Sequence, residues 1–342
     1  MHDGGETNSD VLKQADTLAS SVGMLCDAHQ EVTAAATIEG DTVPNNPASV
    51  AERTEAVAEQ QQLQLLKVHD NLRGIGGSKL LLRTHELEAV RRVVTEAIAG
   101  HTGISVHVHG PTGSGKWTLL TQVQDALSEW CEQHNETKPV SIYCFRWNHP
   151  AGLYGSILEK LKQSTQLQSE IGTVSETAAE AKKQLEAVVF KTSNSSSNSS
   201  SSDEPMIVLQ IYDKIEHLVA SYAHELQQLY EWANSAGSRL ILFGRGETDL
   251  THTLPGLQQT GVVPAQVAVN PYTRSDVVAI LHALVNPAVQ PAALALCGKH
   301  ASGDAGRACK LCHLAVKLAL SACSAEVTLS HMEQAVRFNK FV

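Results

Sequence analysis

One junction constrains this chain more than any other feature. Ile104-Ser105-Val106-His107-Val108-His109 alternates apolar and polar residues, as a strand does. It runs without a spacer into Gly110-Pro111-Thr112-Gly113-Ser114-Gly115-Lys116, and Thr118 to Trp130 then carries apolar residues at helical spacing. Strand, glycine-rich loop and helix in that order match the first seven positions of G-x-x-x-x-G-K-[ST]. Glycines let the backbone curl so that successive amides point inward, and the helix N-terminus adds partial positive charge. Lys116 is then placed to reach the outer phosphates of a bound polyphosphate. The alternative is an ordinary glycine-rich turn, against which the flanking strand and helix argue.

The eighth position of the pattern calls for a hydroxyl that holds Mg²⁺, and here it is Trp117. Thr118 does not substitute, because one helical step turns its side chain by about 100°. Magnesium coordination is therefore expected to be impaired. A loop of this type needs an acidic partner at the end of a buried strand, and the fit is Ile211-Tyr212-Asp213-Lys214-Ile215-Glu216. Asp213 is the candidate metal-side carboxylate; a turn residue ending the strand is its plain alternative. Where a glutamate would activate water stands Lys214, a cation that cannot take a proton from water. Little or no hydrolysis is expected, with the Lys214 ammonium a candidate to replace part of the missing metal charge.

The rest of the chain reads as alternating strands and helices. Thr84 to Ala99 is an amphipathic helix; Val140 to Trp147 is a strand candidate, followed by helical Leu153 to Leu161 and Glu176 to Phe190. Pro205 to Tyr212 and Ser238 to Gly244 are short apolar runs suited to strands buried on both faces, with a helix over Ser221 to Ala233 between them. Val267 to Val269 is a last weak strand. Such alternation implies an α/β domain with a parallel sheet and crossover helices. Beyond Asn270 only helical patterns remain: Ser275 to Val285, Pro291 to His300, Gly303 to Ser321 and Ser330 to Asn339.

Charge divides the chain unevenly. Residues 1–70 hold 12 Asp/Glu against 3 Lys/Arg, a balance of −9, whereas 71–342 hold 24 against 23, or −1. The first stretch is also poor in aromatics and reads as a mostly disordered acidic tail, with a short helix around Leu63 to Val68 at its end or a docking segment there. Thr192 to Ser202 is nearly pure Ser and Asn, a flexible insertion placed at 191–204. No run of about 18 apolar residues exists, and Met1 to Glu6 lacks the basic and apolar regions of a secretory signal. Seven scattered cysteines argue for reduced thiols in cytosol or nucleus. Cys309-Lys310-Leu311-Cys312-His313 spells the haem-attachment pattern, but its helical packing face favours core cysteines. His107 and His109 share a strand face without a third ligand nearby in sequence, which favours structural histidines. Lys182-Lys183, Lys160, Lys162, Lys310 and Lys317 are the candidate contacts to a phosphate backbone, with solvated faces as the alternative.

These motifs together resemble the AAA+ superfamily, and within it the initiator clade of the origin recognition complex and its loader, most similar to the subunit-one type. The resemblance runs from about Leu72 to Phe341. It rests on Arg83-Thr84-His85-Glu86-Leu87-Glu88, the Gly110 to Lys116 loop, Asp213-Lys214-Ile215-Glu216, Asn270-Pro271-Tyr272-Thr273 and Ser302-Gly303-Asp304-Ala305. It implies an AAA+ P-loop parallel sheet over 71–269 and a small all-helical lid over 270–342. It implies ATP as the cofactor, held by Gly110, Pro111, Thr112, Gly113, Ser114, Gly115, Lys116 and Trp117, with Asp213 and Arg307 beside it.

The chain departs from the family at several points. The arginine of the lid helix that senses the γ-phosphate aligns with Gly306, and Arg307 lies one step further round the helix. The polar sensor after the fourth strand aligns near Gly246, and Thr251 to Gln266 has no Arg or Lys to serve as an arginine finger. Family members carry a winged helix after the lid, and with the sequence ending at Val342 none is expected, so contact with DNA is expected to be weak or indirect. The implied role is a nuclear subunit of an origin-recognition-type complex in DNA replication, partnered by other such subunits, away from membranes, with little or no ATP hydrolysis and no catalytic residue of its own. Two alternatives share the fold: a nucleotide-gated signalling P-loop ATPase and an active AAA+ ATPase.

Overall fold

Apolar residues on both sides of a strand must be covered on both sides, and three strands of this chain meet that requirement together. In the computed structural model, which describes residues 60–70, 72, 82–144, 147–190 and 205–339, strands β1 (Ile104–His109), β2 (Val140–Cys144), β3 (Ile207–Lys214), β4 (Leu240–Gly246) and β5 (Ala265–Ala268) form a five-stranded sheet ordered β2-β3-β4-β1-β5. Every neighbouring pair is parallel. Alternation sends Ile207, Leu209, Ile211, Leu240 and Leu242 to one core and Met206, Val208, Ile241 and Phe243 to the other. The chain has the α/β fold that its sequence pattern implies.

Each core is closed by helices drawn from the crossovers. Helices α2 (Thr84–Ala99) and α3 (Lys116–His134) place Val90, Val94, Ile98, Leu119, Val123 and Leu127 against Val106 and Val108 of β1. On the other face α4 (Gly152–Lys162), α5 (Ala178–Val189) and α6 (Ile215–Ala233) supply Leu153, Ile157, Leu161, Leu185, Leu229 and Tyr230. Helix α3 starts two residues before Thr118, because the loop lysine and tryptophan already form its first turn. Helix α6 starts six residues before Ser221; non-helical Tyr222 (φ −136°, ψ 30°) breaks it and hides its first part from a periodicity reading. Short helices α7 (Leu250–Thr253) and α8 (Gly256–Thr260) carry no periodic signal at that length. The strand expected over Val140 to Trp147 ends at Cys144; Phe145 and Arg146 lie outside the described residues.

The described residues divide into two compact units, one within 79–270 and one joining 60–72 to 271–339. The second is helical, with α9 (Arg274–Val285), α10 (Pro291–Ala301), α11 (Ala305–Ser321) and α12 (Leu329–Asn339). Thr273 and Asp276 cap α9 reciprocally. Gly303 sits at φ +84°, and a Cβ there would lie 2.7 Å from the Tyr272 carbonyl; Asp304 then caps α11 by accepting from the Arg307 amide at 2.8 Å. The Ser302-Gly303-Asp304 signature is thus a turn and a cap. Cys297, Cys309 and Cys312 are buried in this core, and burial raises all three thiols, so they behave as packing groups.

Residues 60–70 form helix α1, which contributes Leu65 and Val68 to the same core, together with Leu72. The amphipathic segment at the end of the expected tail therefore has its partner within this chain. The rest of that tail, 1–59, and the Ser/Asn stretch at 191–204 lie outside the described residues.

His107 is buried between β4 and α6, with Nε2 3.1 Å from the Thr248 carbonyl and Nδ1 3.5 Å from the Tyr230 hydroxyl. Its ring stacks on His109 at 5.9 Å, and among the described residues no cluster of three or more metal-binding side chains occurs. Burial lowers its pKa from 6.5 to about 4, partly opposed by the contact with the Thr248 carbonyl.

Two predictions follow from this packing. Leu65→Ala should destabilise the protein by about 2–4 kcal/mol in chemical denaturation, while Leu63→Ala, on the exposed side of α1, should cost under about 0.5 kcal/mol. Equal effects would mean that α1 is not anchored. His107 titrates lower folded than unfolded, so the unfolded chain takes up the proton first and stability falls as pH drops from 6.5 to about 4. The loss should total about 3 kcal/mol. Glu216, lowered from 4.5, stays ionised above pH 5, so a denaturation series between pH 5 and 6.5 should show this slope and His107→Gln should flatten it.

Candidate functional site

Parallel pairing puts the carboxyl ends of β3, β4 and β1 side by side: Lys214 pairs with Arg245, and His109 with Gly246. In open parallel sheets this is the edge where ligands bind. The loop leaving β1 begins at Gly110, whose φ is +147°; a Cβ there would lie 2.1 Å from the Val269 carbonyl oxygen. Only glycine fits. Gly113 (φ +75°) and Gly115 (φ +89°) complete the curl.

Ser114 N–H donates to the Pro111 carbonyl at 3.3 Å, whereas the amides of Thr112, Gly113, Gly115 and Lys116 have no acceptor among the described residues. The buried Ser114 Oγ also has no hydrogen-bond partner there. Lys116 is buried, and its Nζ donates to the carbonyls of Gly110 (2.5 Å) and Pro111 (2.7 Å). Burial and, after it, the neighbouring Arg245 charge lower its pKa to about 8, with Glu247 opposing the shift. Backbone donors and one lysine thus converge on a loop that fits the polyphosphate of a nucleotide.

Magnesium does not fit the same place. Trp117 packs edge-on against Tyr212 and Tyr143, at ring-centroid distances of 4.6 and 5.8 Å. The position that needs a hydroxyl is therefore filled by an aromatic stack on the sheet. Asp213 accepts from Trp147 Nε1 at 2.8 Å. Lys214 pairs with Glu247 and approaches Thr112 Oγ1 at 3.2 Å, and Thr112 Oγ1 itself donates to Glu247 at 2.7 Å. Lys214 and Arg245, two cations, stand at the strand ends beside the loop, where a bound Mg²⁺ would need oxygen ligands.

Among the described residues the carboxylates near the loop are held by donors. Glu216 Oε1 accepts from the amides of Glu247 (2.7 Å) and Thr248 (3.0 Å) and from Thr248 Oγ1 (3.1 Å). Burial alone would raise its pKa, but these donors hold it below 4.5. Glu247 is held low by the Lys214 bond and then by Thr112. The close packing at Gly246, where a Cβ would sit 2.7 Å from Glu216 Oε1, leaves no room for a side chain at the aligned sensor position. Arg307, in the other unit, is exposed in the first turn of α11.

Sequence reading brings together Gly110 to Trp117 and Asp213 to Glu216, and the sheet places them on one edge. It gives no role to Arg245, Glu247 or Tyr212. Arg245 carries the one available signal: an arginine inside an apolar strand run, Leu240-Ile241-Leu242-Phe243-Gly244-Arg245, where a charge needs a reason. Of the candidate phosphate-contacting lysines, Lys182 donates to Gln228 at 2.9 Å and lies over the Trp232 ring, and Lys183 pairs with Glu180.

No known family model matches the chain. It is 24% identical over 278 residues to cell division control protein 18 of Schizosaccharomyces pombe, covering 69% of this chain and 45% of that protein. It is 24% identical over 267 residues to the cell division control protein 6 homolog of Homo sapiens, covering 75% and 44%. The chain thus spans less than half the length of these curated relatives. Among solved structures it resembles a chain of the Drosophila origin recognition complex (ORC) bound to DNA, with a TM-score of 0.61 and 21% identity over 88% of this chain and 69% of that one. The Aeropyrum pernix ORC1 protein in complex with DNA gives a TM-score of 0.63 at 18% identity, over 80% and 69%. The ORC2 protein of the same organism, in ADPNP–ADP complexes, gives 0.59 at 17%, over 77% and 69%. Loop, sheet order and sequence similarity point the same way: the chain shares its fold with these origin recognition complex structures and is similar in sequence to the Cdc18 and Cdc6 proteins.

Proposed function

We propose that this chain is a subunit of an origin-recognition-type assembly acting in DNA replication initiation, where it holds a nucleotide as a structural element and hydrolyses it little or not at all. The observation that carries the non-hydrolysing reading is Lys214 at the water-activating position, tied to Glu247 and Thr112 across the loop. Sequence similarity to the Cdc18 and Cdc6 proteins supports the place in replication, and with it a nuclear location and other initiator subunits as partners. Among the described residues no helix is long and apolar enough to cross a membrane.

In this reading the unit within 79–270 is the nucleotide-binding domain and the helical unit joining 60–72 to 271–339 is the lid, so Leu72 falls with the lid and not with the 71–269 domain expected from sequence. The amides of Thr112, Gly113, Gly115 and Lys116 hold the phosphates and Lys116 neutralises them, with Asp213 a vestige of the metal-side carboxylate. Contact with DNA is indirect or weak.

The test is a calorimetric titration of the full chain with ATP beside a turnover assay. ATP should bind, Lys116→Ala should weaken binding by about tenfold or more, and turnover should stay at background. Magnesium-dependent turnover would overturn the proposal in favour of a working ATPase. Affinity capture of the tagged chain should recover other initiator subunits, identified by mass spectrometry; a monomer that changes shape with nucleotide and recovers none would favour a signalling ATPase.

A further inference from the structure

Three cations, Lys116, Lys214 and Arg245, stand around the loop, and Arg245 has no hydrogen-bonded or ion-paired anion among the described residues, the Asp213 charge acting on it only through space. Arg245 is the next-to-last residue of the central strand β4, in register with Lys214 of β3 on one side and with Val108 of β1, two residues before Gly110, on the other. Its Nε is buried, and among the described residues the guanidinium makes no hydrogen bond or ion pair. The contact it does make is with the Tyr212 ring, 4.9 Å from the guanidinium carbon. A guanidinium laid on a ring face still has its N–H groups directed outward in the plane of the fork. A half-buried guanidinium of this kind is costly to leave unpaired, and an anion would relieve that cost.

We propose that Arg245, seconded by Lys214, takes the place of the divalent cation, so that this site binds the polyphosphate of a nucleotide free of magnesium, with the Arg245 guanidinium in direct contact with a phosphate. The proposal rests on the reading of Gly110 to Lys116 as a nucleotide site. Three positive side chains, Lys116, Lys214 and Arg245, then face the anion. Trp117 fills the place of the metal's hydroxyl ligand, and by stacking on Tyr212 it fixes the ring on which Arg245 lies. The lowered Lys116 pKa fits this arrangement, since after burial the Arg245 charge is its largest cause and a phosphate between the two would remove the repulsion. Glu247 is the counter-ion that phosphate displaces: Lys214 exchanges a carboxylate for a phosphate oxygen, and Thr112 Oγ1 is released with it. A magnesium ion brought in with the nucleotide would add like charge beside the two cations and gain few oxygen ligands.

The experiment titrates the full chain with ATP in excess EDTA and again in excess magnesium, for the native protein, Lys116→Ala, Arg245→Ala, Arg245→Lys and Lys214→Ala, each checked for folding by its melting temperature. Affinity in EDTA should equal or exceed that in magnesium. Arg245→Ala should lose about tenfold or more in EDTA, Arg245→Lys should recover part of it as a point charge, and Lys214→Ala, already paired with Glu247, should lose less, about threefold. Binding that needs magnesium, or Arg245 variants that fold and bind like the native protein while Lys116→Ala does not, would overturn this inference and leave the nucleotide reading standing. Absence of binding under both conditions would overturn both.

Discussion

The register between β4 and its two neighbours is the constraint on which the rest depends. Strand β4 runs between β3 and β1; its ladder with β1 sets His109 beside Gly246, and its pairing with β3 resumes, after an irregularity between Gln210 and Lys214, with Lys214 beside Arg245. Because side chains alternate along a strand, a slip of one residue would send Leu240 and Leu242 to the wrong core and exchange them with Ile241 and Phe243. Two-sided burial thus locks the register, and the locked register delivers three strand ends to one edge. The glycine loop, the acidic strand end and Arg245 meet there as a consequence of core packing.

On that edge the electrostatics differ from those of a hydrolase. Each carboxylate is already committed: Asp213 to Trp147, Glu216 to the turn after β4, and Glu247 to Lys214 and Thr112. Glu216 and Glu247, held low by such donors, are weak proton acceptors. What it retains is donors: loop amides, a buried lysine and a guanidinium on a ring. An array of that composition is suited to an anion.

Much of this was legible in the sequence. The alternation at Ile104 to His109, the glycine spacing and the apolar runs at Ile207 to Ile211 and Leu240 to Phe243 announce a parallel α/β sheet, because each reflects a local rule of period or of two-sided burial. Lys214 and Trp117 are equally plain, since a side chain cannot supply chemistry it lacks. The start of α6 was obscured by the break at Tyr222, and α7 and α8 are too short to show a period. Helix α1 looked like the end of a charged tail, because a few apolar residues do not announce their partner; Leu65 and Val68 find it in helices more than 200 residues away.

The sequence by itself determined the fold class, the loop with its glycines and lysine, and the absence of a hydroxyl and a glutamate at their required positions. Those are properties of residue type and local spacing. Only the tertiary structure decided that Trp117 lies against Tyr212, that Tyr212 carries Arg245, and that Lys214 reaches Glu247 and Thr112. These contacts join residues from three segments, and their distances depend on which strands are neighbours and in what register. That choice is made by burying two cores at once, a property of the whole sheet and of no single segment.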